Sequence, residues 1–436
     1  MTNGLELGDV YGATIERIKA QDGDKSRLGM AALIWISYAE RPLSADELCY
    51  ALAVQVGSTD FDFGNIPSMP TLVNCCQGLI TVDKEASTVR LIHFTLQEFL
   101  SSRPDIFSKP HSTIAEICLT YLNSQQVKAL STLPSPNTQN APFLNYCSAY
   151  WGVHAKRELS DCGRSLALEL LRENYGLIST RSLFAQVKYF PPWGFSTLSP
   201  FSGLHCASFF GIVEVVAGLI EIECYNINEG DFWGCGPLAW AARNGHKGVV
   251  KILLGRAEIS PDKPNNGGRT PLSDATQGGH EEVVKILLRR EEVNPDRPDN
   301  DGRTPLWHAA WNGHEGVVKT LLKREEVNPN RPDILGRTPL SDATRNGHEG
   351  VVKMLLEREE VDPDRPDKWG RTPLWYAALM GHEGLTKILL GRVEVNPDKP
   401  DISGQTPLWY AVQYQHERVI ALLQSRKAVS LRTVKP

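Results

Sequence analysis

A chain of 436 residues is longer than one ordinary core organises, so two or more modules are expected. The formal charge of −5 comes with no basic cluster, which argues against nucleic acid as a partner. Nine cysteines, scattered singly except for Cys75-Cys76 and without a C-x-x-C pair, read as buried thiols of a reducing compartment. The start, Met1 to Glu6, has neither the basic residues nor the apolar run of a secretory signal. The longest apolar stretch, Met30 to Ala39, is far short of a membrane span. An intracellular, cytoplasmic protein is expected, with no membrane partner.

Residues 1–9 read as a linker and residues 10–103 as a first module. Helical patterns over 11–18 and 28–38 lead to Ser44-Ala45-Asp46-Glu47, a capping box that opens a helix from Asp46 to Val54. After the Gly/Pro/Asp-rich loop 57–70 and a short helix at 72–76, two strands are expected at 79–82 and 88–92, around a turn at 83–87. Residues 94–100 are helical again. Helices followed by a two-stranded wing describe a winged helix. Its recognition helix, around Thr71 to Gln77, carries no Lys or Arg, which again argues against nucleic acid.

The stretches Leu33 to Leu43, Cys76-Gln77-Gly78-Leu79-Ile80 and Ile92-His93-Phe94-Thr95-Leu96-Gln97-Glu98-Phe99-Leu100 resemble the winged-helix segment that follows the NACHT ATPase in fungal NOD-like proteins. The resemblance implies an N-terminal NACHT ATPase as a partner, in cis or in trans. It also implies that His93 faces the phosphates of a nucleotide held by that ATPase. The other reading of His93 is a partly buried histidine closing the strand-to-helix corner. No Gly-x-x-x-x-Gly-Lys-Ser/Thr loop occurs in the chain to cradle phosphates, so the corner reading is preferred and no cofactor is expected.

Residues 104–200 read as a helical connector. Helical patterns at 114–122, 143–154 and 164–172 are separated by breaks at Pro134-Ser135-Pro136 and Pro191-Pro192. Its expected task is to cover the apolar face of the first repeat, which would otherwise meet water.

From 201 to 425 one phrase recurs. Gly-Arg-Thr-Pro-Leu begins at Gly268, Gly302, Gly336 and Gly370, with weaker versions at Gly234 and Gly404 and a degenerate one around Leu204. The leucines fall every 34 residues, from Leu204 to Leu408. Each unit offers Thr-Pro to open a helix, small alanines for close packing, Asn-Gly or an equivalent to end it, a second apolar helix, and an extended finger. Thr-Pro-Leu, Ala-Ala, Gly-His, Val-Val-Lys and Leu-Leu in this order resemble the ankyrin repeat, lengthened by one residue in the finger. The family's first-helix histidine is kept only at His205. A C-terminal tail, 426–436, follows. The fold class is therefore mainly α: a winged-helix-like module, a helical connector and an ankyrin solenoid of about seven 34-residue helix-turn-helix repeats.

Catalytic motifs are wanting. His-Glu recurs at His280, His314, His348, His382 and His416, but a zinc protease needs a second histidine four residues on. Those positions hold Val284, Val318, Val352, Thr386 and Ile420. A non-enzymatic protein-interaction scaffold, with no metal, is the expected function. Positions that repeat hold the stack, and positions that vary are free for recognition. One varying class is the finger tip: Phe232, Trp233, Ile334, Leu335, Trp369 and Ile402. The other is the side of the first helix expected to be exposed: Trp240, Arg243, Asp274, Gln277, His308, Trp311, Asp342, Arg345, Tyr376, Leu379 and Tyr410. Aromatic anchors and Arg favour recognition, while packing within the solenoid is the other reading, preferred for Trp307, Trp375 and Trp409. Leu-Ser-Asp-Ala-Thr alternates with Leu-Trp-His/Tyr-Ala, a 68-residue doublet. Duplication of repeat pairs, or small Ser273 and Ser341 making room for Trp307 and Trp375, would each account for it.

Overall fold

The computed structural model describes residues 7–83, 85–130, 141–172, 201–222 and 225–433, with side chains through 425. The expected proline breaks at 134–136 and 191–192 lie outside the described residues. The chain divides into two compact units, 1–225 and 226–436.

In the N-terminal unit, α1 (Leu7–Lys19), α2 (Gly23–Tyr38), α3 (Ala45–Ala53) and α4 (Met69–Cys75) precede a hairpin of β1 (Ile80–Asp83) and β2 (Thr88–Leu91), followed by α5 (Phe94–Ser102). The strands are antiparallel, from Ile80 opposite Leu91 to Asp83 opposite Thr88. This is the winged helix. The capping box forms as its spacing requires: Ser44 Oγ accepts the Glu47 N–H at 3.1 Å, and the Glu47 carboxylate accepts the Ser44 N–H at 2.9 Å. Arg41 pairs with the same carboxylate at 2.6 Å, so the segment entering α3 is held at both ends.

The connector supplies α6 (Pro110–Asn123), α7 (Gln125–Leu130), α8 (Leu144–Arg157) and α9 (Asp161–Arg172). It shares one core with the winged helix. Trp35 of α2 meets Phe143 and Tyr146 edge-on, with ring centroids 5.4 and 5.6 Å apart, and all three rings are buried. The first repeat's helices, α10 (Gly203–Phe210) and α11 (Val213–Ile220), pack against α8 and α9 in this unit. Gly152 of α8 permits the approach, because a Cβ there would stand 2.1 Å from the Phe210 ring.

The C-terminal unit stacks six helix pairs, from Pro237–Arg243 with Lys247–Leu254 to Pro407–Gln413 with Glu417–Thr433. Proline sits in the first turn of every inner helix, as expected. The stack's core is a repeated set, Leu272, Ala275, Val283, Val284 and Leu287 in one copy, each at 1 % exposure or less. Lys251, Lys285, Lys319, Lys353 and Lys387, one repeat position, are exposed and form a solvated face. Among the described residues no helix is long and apolar enough to cross a membrane. Eight described cysteines are free thiols; seven are buried as expected, and Cys162 is exposed.

Candidate protein-interaction surface

Each finger is built on one acidic or amide residue. In the third copy of this unit, Asp299 Oδ1 accepts the N–H groups of Asp301 and Arg303 at 3.0 and 2.9 Å, closing the turn. Gly302 takes φ +76° there, and a Cβ would meet the next finger's backbone nitrogen at 3.0 Å, so the glycine is required by both torsion and space. Asp231, Asn265, Asp333, Asp367 and Asp401 do the same in their copies. Adjacent tips are joined by one backbone hydrogen bond per repeat. Asn266, Asn300, Ile334, Lys368 and Ile402 donate to the carbonyls of Trp233, Gly267, Asp301, Leu335 and Trp369, at 2.8 to 3.0 Å. The tips therefore form a continuous rail, and their side chains are presented by ordered backbone.

The other carboxylate oxygen of the finger residue explains the first-helix positions. Nine residues on, Trp240 Nε1 donates to Asp231 at 2.9 Å, Tyr376 Oη to Asp367 at 2.7 Å and Tyr410 Oη to Asp401 at 2.8 Å, while His308 Nε2 lies 3.2 Å from Asp299. In the alternate copies the residue nine on is itself acidic, and an arginine joins it to the turn. Arg337 pairs with Asp333 at 2.6 Å and Asp342 at 3.5 Å; Arg243 pairs with Asp274 at 2.9 Å, and Arg269 binds the same carboxylate. The 68-residue doublet is thus an alternation of ring donors with Asp–Arg pairs. That polar account stands beside the large-and-small one, since Ser273, Ser341, Trp307 and Trp375 are all buried.

The expected exposure of the first helix is corrected for five residues. Trp240, Asp274, His308, Asp342 and Tyr376 are 3 % exposed or less, because each side chain turns under its own finger to meet the turn carboxylate or its arginine. Arg243, Trp311, Arg345, Leu379 and Tyr410 are half-buried, and Gln277 is exposed. Trp311 stacks on Trp307 at 5.2 Å with Arg345 over its face. Burial raises the Asp342 carboxyl to about 6 against the pull of Arg337. At the tips Phe232, Ile334 and Trp369 are exposed, and Trp233 and Leu335 are half-buried. Trp409 departs from the packing expected of it and is 44 % exposed, on the last described repeat, where no further inner helix covers it. Ile402, at 71 % exposure, completes the tip row.

The His-Glu histidines serve the stack. Nε2 of His280, His314, His348, His382 and His416 lies 2.9 to 3.1 Å from the carbonyls of Arg243, Gln277, Trp311, Arg345 and Leu379 in the preceding repeat. His205 lies within its own cap, its Nδ1 accepting the Ser202 N–H at 3.1 Å. His93 is exposed rather than partly buried: it is the N-cap of α5, and Nδ1 accepts the Thr95 N–H at 3.3 Å. It stands beside Arg41, Arg90 and Gln97 on a cleft of about 500 Å³.

Residues 204–298, 290–367 and 359–432 match the family described as ankyrin repeats (3 copies). Residues 16–118 match the winged helix domain of GPI inositol-deacylase. Among solved structures, the human ASB11 ankyrin repeat domain is similar at 24 % identity, covering 52 % of this chain and 97 % of that one, with a TM-score of 0.45. The comparison with curated proteins found no match.

Proposed function

The chain belongs to the ankyrin-repeat family, a protein-interaction scaffold, and from that premise we propose that it captures a protein partner with the finger rail and works by binding rather than catalysis. The supporting observation is the tip row itself: Phe232, Ile334, Trp369 and Ile402 expose apolar surface from backbone already tied repeat to repeat. An apolar group held in place before binding loses little entropy on docking. The half-buried flank of Arg243, Trp311, Arg345 and Tyr410 lies on the inner helices below and supplies cationic and aromatic edges. Partners isolated with the full chain should be released by Ile334→Glu with Ile402→Glu, the melting temperature staying unchanged; retained capture would reject this surface.

A second reading rests on the winged-helix match, a domain found in NACHT proteins. Here the rail senses a partner and the winged helix transmits the event to a nucleotide-dependent ATPase, in cis or in trans, with His93 at the contact. The intact mass of the native protein and the 5′ end of its transcript test the cis form. His93→Ala should change nucleotide retention by such an assembly, and unchanged retention would leave His93 with its capping role only.

A further inference from the structure

We propose that Glu40, His111 and His154 form a binding site for a divalent transition metal of the Zn²⁺ class, with one coordination position left open to water or an incoming donor. The three residues come from separate segments, after α2, in the first turn of α6 and in α8. One donor atom from each lies within 4.8 Å of the others. The two imidazoles face each other Nδ1 to Nδ1 at 2.8 Å, so a single shared proton now occupies the place between them. Two nitrogens on one tetrahedral Zn²⁺, each at about 2.0–2.1 Å, stand roughly 3.4 Å apart. Exchange of the proton for a metal therefore needs the rings to separate by roughly 0.6 Å.

The surroundings suit that exchange. His154 is fully buried, and its Nε2 lies 2.9 Å from Tyr146 Oη, which also accepts the Glu40 N–H at 3.1 Å. An outer partner on the far ring nitrogen fixes the tautomer and orientation of a ligating histidine. With His154 Nε2–H donating to Tyr146, its Nδ1 already presents a lone pair. Only His111, half-exposed, must then change tautomer, giving its Nδ1 proton to water and taking one up at Nε2. No net proton is released. Arg157 opposes the metal, since it holds the Glu40 carboxylate in the empty state; its side chain is 48 % exposed and can turn to water.

The test is a Co²⁺ titration of the chelator-treated full chain, in a Cys162→Ser background that removes the one exposed thiol among the described residues. One Co²⁺ per chain is expected, with a four- or five-coordinate visible spectrum lacking thiolate charge-transfer bands and abolished by one equivalent of Zn²⁺. Glu40→Gln and His111→Ala should each weaken binding by more than the 10–100-fold typical of an outer partner. Arg157→Ala should tighten it, a gain that a purely structural hydrogen-bond chain does not give. Absence of a saturable spectrum in the Cys162→Ser chain, or equal affinity in folded Glu40→Gln and His111→Ala chains, overturns the site.

Discussion

The two units solve the burial of polar groups in opposite ways. In the repeat unit each kind of cross-repeat contact recurs at its own offset: His280 with Arg243 and His314 with Gln277 are each 37 residues apart, Arg297 with Asp262 and Arg331 with Asp296 each 35. In the N-terminal unit the partners follow no repeat, with Glu40 and Tyr146 separated by 106 residues and His111 and His154 by 43. A stacked array adds one neighbour interface per repeat, so a polar motif that works once works again. A core folded from unlike helices has to satisfy each buried group separately.

The largest effect that tests this contrast is Trp240→Ala. As an interior residue hydrogen-bonded to Asp231, Trp240 should cost about 3–5 kcal/mol on truncation; a melting temperature like that of the native chain would return it to the surface. Ser341→Trp comes next. It forces a third bulky ring between copies that already bury Trp307 and Trp375, and removes the Ser341 Oγ that accepts the Thr338 N–H, for a loss of about 1–3 kcal/mol by denaturant titration. An unchanged midpoint would leave the polar alternation as the account of the doublet.

Acid should separate the units in sign. Asp342 titrates near 6 in the folded chain against 3.8 when free, so the native state binds more protons between those values. Its contribution is full below 3.8 and lost as pH rises through 6. Asp342→Asn should then stabilise the array by about 1–3 kcal/mol at pH 7.5, the gain shrinking toward pH 4. His154 runs the other way. Its pKa falls from 6.5 to about 3, so stability is full above 6.5 and is lost as pH falls toward 3. Amide exchange in α8 that accelerates on acidification, while the helix over 339–345 is steadier than at neutral pH, is the expected pattern; parallel acceleration would show that other groups govern both. The smallest effect belongs to the tips: Ile334→Ala and Ile402→Ala, both exposed, should stay within about 0.5 kcal/mol of the native chain.

Much of the array is legible in the sequence. Period, cap residues, buried leucines and the solvated lysine row all follow from comparing one copy with the next, because each copy meets the same surroundings. Variation between copies was a weaker guide. Trp240, His308 and Tyr376 vary because any ring donor, or an aspartate with an arginine, answers the finger carboxylate, and variation of that kind looks the same as freedom from constraint.

What the sequence determined by itself is the repeated architecture, the winged-helix order of helices and strands, and the tip positions, since these depend on local chemistry and a fixed register. What only the tertiary structure decided is which varying side chains turn inward and which distant ones meet. Nine residues separate Asp299 from His308, but it is the fold of the finger over its own helix that buries the pair. Glu40, His111 and His154 carry no motif at all; three segments bring them together because the aromatic core of Trp35, Phe143 and Tyr146 packs their helices side by side.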